Sequence, residues 1–172
     1  MQRLQYEFFV RDVLEVAPDL LGKYLVRRFP DGYINKYKIT EVEAYRGQQD
    51  LACHASKGRT ARTEIMYHNG GQIYVYLIYG MYWMLNFVTS KENIPQAVLI
   101  RGIEKYDGPG KLTKALKIDK SFYGEDLMAS NRLWVEYGKE SSQVNILTTP
   151  RIGIDYSGEI YKNKLWRFIL DE

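Results

Sequence analysis

Two groups of residues in this sequence could do chemistry together. The first is Glu43, which stands two positions before Tyr45 in a predicted strand. The second is the segment from Ile73 to Val88, which carries four tyrosines and a tryptophan. Tyrosine offers a face for stacking and a phenol for polar contacts, and a carboxylate beside such a platform can activate water. The pairing predicts a pocket that handles a nucleobase.

The aromatic segment has a competing interpretation, because no charged side chain occurs between Asn69 and Lys91. We reject a membrane span, since the apolar part is short for a bilayer-crossing helix and is rich in Tyr, Trp, Val and Ile. Gly80 also interrupts it. Two strands joined by a turn that contains Gly80 fit this pattern better.

A second hairpin is predicted to carry Glu43. Tyr24–Phe29 and Tyr37–Tyr45 have the composition of strands, and Pro30-Asp31-Gly32 between them is a turn signal. The period of two along the second strand places Val42 and Ala44 on one face and three other residues on the opposite face: Glu41, Glu43 and Tyr45. We do not expect the acidic face to be packed core.

The other predicted elements surround these hairpins. Asp12-Val13-Leu14-Glu15 resembles a capping box before a helix that ends near Gly22, and Pro18 is compatible with that helix only if it begins late. The remaining patterns predict short helices at 63–68, 109–116 and 126–132 and strands at 96–104, 133–137, 151–154 and 165–169. Residues 1–172 are therefore expected to form one mixed α/β domain, with a curved, mainly antiparallel β-sheet, flanking helices and a protruding hairpin.

Composition narrows the functional classes. The 172 residues carry a formal charge of +3, which permits a polyanionic partner without requiring one. Cys53 is the single cysteine and there are two histidines, so no intrachain disulfide, cysteine-rich zinc site or other metal site is expected. The first residues lack a long apolar stretch, so no signal peptide is expected. No cofactor motif is found.

Two basic residues stand out from their surroundings. Arg101 lies in a predicted buried strand, where an arginine needs an anionic partner, and Glu43 is a candidate. Lys111 follows glycines at a predicted helix start, a setting that suits a phosphate, although no strand-loop-helix nucleotide motif surrounds it. Taken one residue at a time, these patterns indicate an aromatic pocket that bears a carboxylate, and no more.

The combination resembles the alkyladenine (3-methyladenine) DNA glycosylase family. The resemblance runs from about Phe8 to Phe168, and the central hairpin motif is its most specific part. It rests on the following segments: Glu43-Ala44-Tyr45, Asp50-Leu51-Ala52-Cys53-His54, Tyr74-Val75-Tyr76-Leu77-Ile78-Tyr79-Gly80-Met81-Tyr82 with Asn86, Leu99-Ile100-Arg101, Gly108-Pro109 with Lys111-Leu112, and Arg151-Ile152-Gly153-Ile154. The long N-terminal extension of some relatives is not found.

The resemblance implies a role for each matched residue in base excision from duplex DNA. Glu43 would deprotonate a water that attacks C1′ of the sugar, with Arg101 positioning that water and keeping Glu43 ionised. The flipped base would lie between Tyr45 on one side and Tyr76 with His54 on the other. The four remaining residues would fill the gap in the DNA or select the base: Tyr79 as the wedge, Met81 and Tyr82 supporting it in the minor groove, and Asn86 as the gatekeeper against guanine.

The resemblance also implies a substrate class, a partner and a compartment. The substrates would be alkylated or deaminated purines, namely 3-methyladenine, 7-methylguanine, hypoxanthine and ethenoadenine, in no order that the sequence can rank. The protein would act as a metal-free monomer on double-stranded DNA, without a membrane. It would work in the cytoplasm of a bacterium, which the compact chain favours, or in the nucleus if the source is eukaryotic.

The implied pocket sets a condition on the hairpin. If Gly80-Met81 were a two-residue turn, Tyr76 and Asn86 would lie on opposite faces of the sheet and could not line one pocket. We therefore predict an odd-numbered loop or a β-bulge at the tip.

Two other functional classes remain open. A non-catalytic single-strand binding module would use the same aromatic residues, but it has no need for Glu43 opposite Arg101. A bifunctional glycosylase-lyase would need an amine nucleophile that forms a Schiff base, and none of the lysines falls in a recognised motif for that role.

Overall fold

The computed structural model describes residues 2–138 and 144–171, and an antiparallel β-sheet of nine strands dominates it. The sheet order is β3-β4-β5-β2-β1-β7, with β6 pairing with β5, and with β9 joining β2 to β8. The strands are β1 (Tyr24–Arg28), β2 (Ile34–Tyr45), β3 (Ile73–Ile78), β4 (Tyr82–Thr89), β5 (Gln96–Ile103), β6 (Tyr106–Asp107), β7 (Leu133–Glu136), β8 (Asn145–Thr149) and β9 (Arg167–Asp171). The predicted fold class is confirmed.

Short helices flank the sheet. The α-helices are α1 (Tyr6–Phe9), α2 (Val13–Leu20), α3 (Pro109–Ala115) and α4 (Gly158–Lys162), and 3₁₀ helices occupy His54–Lys57, Glu64–Tyr67, Lys120–Phe122 and Asp155–Ser157. The carboxylate of Asp12 accepts the Leu14 N–H and caps α2, as predicted. The late start expected because of Pro18 is wrong, since α2 begins at Val13 and contains Pro18. In so short a helix, the proline removes only one backbone hydrogen bond. No helix within 2–138 or 144–171 has both the length and the apolar character that a bilayer crossing needs.

Strand β2 is the structural centre of the molecule. Its first half pairs with β1, and its second half lies between β5 and β9, so that Glu43 is opposite Leu99 on one side and Arg167 on the other. A register shift on either side of Glu41 marks a β-bulge against β5. The expectation that the acidic face lies outside the packed interior is wrong, because Arg101, Arg167 and the backbone at Ile152 pack against its carboxylates. Glu41 and Glu43 are both buried.

The aromatic hairpin of β3 and β4 has a three-residue loop. Ile78 pairs with Tyr82, which leaves Tyr79, Gly80 and Met81 unpaired at the tip. Tyr74 pairs with Asn86 in the same register, so these two side chains share a face with Tyr76. The predicted odd-numbered loop is confirmed, and it places Tyr76 and Asn86 on the same side of the sheet.

Two predicted elements are wrong. Residues 126–132 form turns rather than a helix, because the Asp126 carboxylate accepts the Met128 N–H and draws the chain into a turn. Residues 151–154 form a loop rather than a strand, since Arg151 turns inward to Asp50 and Gly153 has a positive φ of 73°. Strand β9 begins two residues later than predicted, and β8 was not predicted.

Candidate active site

The side chain of Glu43 is fully buried and bonded at both oxygens. Its Oε1 accepts the backbone N–H of Ile152 at 2.8 Å and lies 3.4 Å from Arg101 Nε. Its Oε2 accepts the hydroxyl of Tyr45 at 2.7 Å. Burial raises the pKa of Glu43, and the arginine and the two hydrogen bonds partly oppose that rise. The carboxylate is therefore held in one position, in surroundings that make it a stronger base than an exposed glutamate.

Arg101 is shared between two carboxylates. Its Nε donates to Glu41 Oε1 at 3.0 Å, closer than its 3.4 Å contact with Glu43. Arg167 from β9 donates to the same Glu41 oxygen at 2.6 Å. The predicted Arg101–Glu43 pair is thus present, but Glu41 is the closer partner of Arg101. Two arginines and two carboxylates balance one another, which makes their burial tolerable.

A small cavity lies beside this cluster. It brings together the four residues that the sequence predicted to bind a base: Tyr45, His54, Tyr76 and Asn86. The cavity adjoins a wider groove, which Tyr45 and Tyr76 also line and which holds Arg101, Ile152 and the hairpin tip. Glu43 contributes no surface to either space. Three groups that contact it, from Tyr45, Arg101 and Ile152, all line the groove.

Aromatic contacts fix the far wall of the cavity. His54 lies edge-on to Tyr76, with ring centroids 4.5 Å apart, and its Nδ1 is 2.8 Å from the hydroxyl of Tyr74. Burial lowers the pKa of His54 to about 4, with Arg62 and Lys57 acting in the same direction. The imidazole is therefore neutral at physiological pH, and this wall presents neutral aromatic rings to the cavity.

Asn86 lies at the inner end of the cavity, on β4. Its side chain is almost fully buried, and its Nδ2 donates to the backbone carbonyls of Tyr74 at 3.3 Å and Met84 at 3.4 Å. These bonds hold the amide against the hairpin backbone. The residue thus has a structural role and also lines the cavity.

The hairpin tip is exposed to solvent, unlike the buried residues that line the cavity. Tyr79 is 86% exposed and Met81 is 64% exposed, and Tyr82 is partly exposed beside them. Tyr79 has a left-handed φ of 53°, a conformation that costs a non-glycine residue about 1–2 kcal/mol. A strained, exposed aromatic residue that packs no core is an indication of function.

Comparison with known proteins places the chain in a family. The profile of the methylpurine-DNA glycosylase (MPG) family matches residues 7–108 and 104–172. A Legionella pneumophila (strain Corby) protein is 46% identical over 100% of this chain and 96% of its own length. Proteins from Natranaerobius thermophilus and Methanocella arvoryzae are 42% and 45% identical over 98% of this chain and over 95% and 92% of their own lengths. All three carry the provisional name 3-methyladenine DNA glycosylase.

The chain belongs to the methylpurine-DNA glycosylase family.

In this member of the methylpurine-DNA glycosylase family, the predicted site residues occupy distinct places around the cavity. Glu43 lies behind the cavity wall, Arg101 approaches it and lines the wider groove, four residues line the cavity, and the exposed tip carries Tyr79 and Met81. Lys111 is exposed on α3 and lines the wider groove together with Tyr82. In the described ranges, no group of three or more His, Cys, Asp or Glu side chains could hold a metal ion.

Sequence reasoning missed the buried ion pair that supports the site. Arg151 donates to Asp50 Oδ2 at 2.6 Å and Oδ1 at 2.9 Å, and its side chain is fully buried. Its guanidinium lies 4.8 Å from the ring centroid of Tyr45. Because Arg151 precedes Ile152, it also anchors the N–H that binds Glu43. The available signal was an arginine inside a predicted strand, as at Arg101.

Two further tyrosines of the site had no predicted role. Tyr74 is buried and positions His54, but nothing in its sequence position separates it from core tyrosines. Tyr156 lines both the cavity and the groove, and its hydroxyl donates to the Ala52 carbonyl at 3.2 Å. It follows the loop that carries Ile152, a placement that only the folded chain reveals.

Proposed function

We propose that this protein is a monofunctional DNA glycosylase that starts base excision repair by removing damaged purines from duplex DNA. The observation that carries the proposal is the buried carboxylate of Glu43, held next to an aromatic cavity that lies below an exposed aromatic hairpin tip. The family membership and the names of the relatives support the same class of reaction. The proposed substrates are 3-methyladenine, 7-methylguanine, hypoxanthine and ethenoadenine.

Base flipping is the first step of the proposed mechanism. A base inside a duplex hides its glycosidic bond, so the nucleotide must rotate out of the helix and a side chain must fill the gap. Tyr79 would fill it, with Met81 and Tyr82 in the minor groove. The flipped base would stack between Tyr45 and Tyr76. A 3-methyladenine or 7-methylguanine nucleotide carries positive charge on its base, which favours binding to electron-rich aromatic faces.

Hydrolysis would follow at the sugar. A water held in the groove between Arg101 and Ile152 would transfer a proton to Glu43, and its oxygen would form a bond to C1′. The C1′–N bond would break, and its electron pair would leave with the base. A cationic lesion departs as a neutral base, whereas a neutral lesion such as hypoxanthine also needs a proton as it leaves.

Selection against normal guanine is assigned to Asn86. Its amide is fixed at the inner end of the cavity, so the exocyclic amino group of guanine would meet it there. A buried polar group that finds no partner costs about 1–3 kcal/mol, which is enough to discriminate between bases. The proposed partner is therefore damaged double-stranded DNA, bound by a monomer in the compartment that holds the genome.

A panel of duplexes, each with one defined lesion, tests the proposal. The wild-type protein should release the free base and leave an abasic strand that breaks only after alkali treatment. Binding of lesion duplex without base release would favour the non-catalytic binding module. A covalent protein–DNA adduct trapped by borohydride would instead identify a glycosylase-lyase.

A further inference from the structure

Tyr45 makes a contact that stacking alone does not require. Its hydroxyl donates to Glu43 Oε2 at 2.7 Å, and the two side chains project from the same face of β2. The other carboxylate oxygen is already occupied by the Ile152 N–H and approached by Arg101. The phenol of Tyr45 is thus the donor that fixes Oε2.

We propose that Tyr45 is a positioning residue for Glu43 as well as a stacking surface, and that its hydroxyl sets the orientation and the ionisation of the catalytic carboxylate. The inference rests on the proposed function of Glu43. It adds a link between the base-binding wall and the reacting group, because one side chain contacts both.

The ring of Tyr45 is itself held in place. The guanidinium of Arg151 lies 4.8 Å from its centroid, and Arg151 is fixed by its two-point ion pair with Asp50. Arg151 also donates to the backbone carbonyl of Ala44, directly before Tyr45. Tyr45 therefore gives up its contact with a fixed arginine if it swings away from Glu43.

Several charged and titratable groups surround Glu43, and the hydrogen bond from Tyr45 is one of the contacts that set its ionisation. They come from β2, β3, β5, β9, and the segment after β8: Glu41, Tyr45, Tyr76, Arg101, Arg151, Tyr156 and Arg167. Burial raises the pKa of Tyr45 well above its usual value, so its hydroxyl stays protonated and remains a donor. A donor to a carboxylate stabilises the ionised form, and its removal raises the pKa of the carboxyl further.

Tyr76 provides a matched control. It lines the same cavity and is a tyrosine of the same size, but its hydroxyl has no hydrogen-bond partner among the described residues. Tyr45→Phe and Tyr76→Phe both keep an aromatic ring and both lose one hydroxyl. Only the first change removes a donor to Glu43.

The test measures the titration of the Glu43 carboxyl in the free protein by ¹³C NMR. The Glu43→Gln variant, which lacks this carboxyl, assigns the signal. Tyr45→Phe should raise the midpoint by about one pH unit, as expected for the loss of a hydrogen bond to a charged group. Tyr76→Phe should leave the midpoint at the wild-type value. Circular dichroism and thermal melting confirm that both variants fold.

Single-turnover excision of a cationic lesion by the same variants gives the second readout. The rising limb of the pH–rate profile should move with the NMR midpoint in Tyr45→Phe and stay in place in Tyr76→Phe. An unchanged Glu43 midpoint in Tyr45→Phe, or equal shifts in both variants, would overturn the positioning role. If the NMR midpoint shifts but the wild-type protein excises no lesion, the contact with Tyr45 stands and the proposed function fails.

Discussion

The interior of the site and the tip of the aromatic hairpin differ in how their side chains are held. Glu43 and Tyr45 are locked by hydrogen bonds and by the buried Asp50–Arg151 pair, whereas Tyr79 and Met81 extend into solvent. Rigid support suits a group that must meet a reacting atom in one geometry. An exposed, strained tip suits a group that acts only when it enters another molecule. The hairpin β3–β4 joins the two regions, since Tyr76 lines the cavity and Tyr79 lies three residues beyond it.

The largest change in stability should come from breaking the interior support. Arg151→Met leaves the Asp50 carboxylate buried without its counter-charge, which should lower the free energy of unfolding by about 3–5 kcal/mol. Urea unfolding measures this loss. The control is Arg59→Met, which removes the exposed Arg59–Glu64 pair and should leave the unfolding midpoint near that of the wild type. Equal effects from both variants would mean that the buried pair does not support the site.

The tip should affect DNA binding without affecting the fold. Tyr79→Ala removes the proposed wedge, so it should weaken binding to lesion duplex by about 1–3 kcal/mol, the value of one stacking contact. Fluorescence anisotropy measures the affinity, and the melting temperature should stay at the wild-type value. Tyr33→Ala is the matched control, because Tyr33 is 65% exposed in the β1–β2 turn, outside the residues that line the groove. Unchanged affinity and excision in Tyr79→Ala would refute the wedge.

A specificity effect should come from Asn86, inside the cavity. Asn86→Ala or Asn86→Ser should allow release of guanine from mismatched duplexes while alkyladenine removal stays broadly intact, because the block is steric and polar rather than catalytic. The ratio of the two excision rates in one variant is its own internal control. If neither variant releases guanine, the two backbone hydrogen bonds are the whole role of Asn86.

The smallest effect should come from the groove rim. Lys111→Ala should weaken binding to damaged and undamaged duplex alike and make the slope of log affinity against log salt shallower by about one. Lys120→Ala, which changes an exposed lysine outside the residues that line the groove, should leave that slope unchanged. Selective loss of affinity for damaged DNA would instead place Lys111 at the pocket.

The sequence predicted local elements better than the contacts between them. An odd-numbered hairpin loop or a β-bulge followed from parity, once the family resemblance had placed Tyr76 and Asn86 in one pocket, and the structure has a loop of three residues. The burial of Glu43 did not follow, since it depends on β9, which lies more than 120 residues away in the chain. The hydrogen bond from the Ile152 N–H to Glu43 was not predicted either. Every residue except proline has a backbone donor, so residue identity does not indicate which N–H will be used.

Single-turnover excision by Glu43→Gln tests the central claim most directly. Glutamine keeps the size of the side chain and its hydrogen bonding but cannot take a proton, so lesion binding should survive while the rate falls by about 10²–10⁴. Glu41→Gln, which changes the other partner of Arg101, should have the smaller effect. For the wild type, the rate on a cationic lesion should rise with pH through the raised pKa of Glu43 and then level off. A neutral lesion should add a falling limb. Near wild-type excision by folded Glu43→Gln would contradict the account and move the catalytic role to another residue, with Glu41 the first candidate.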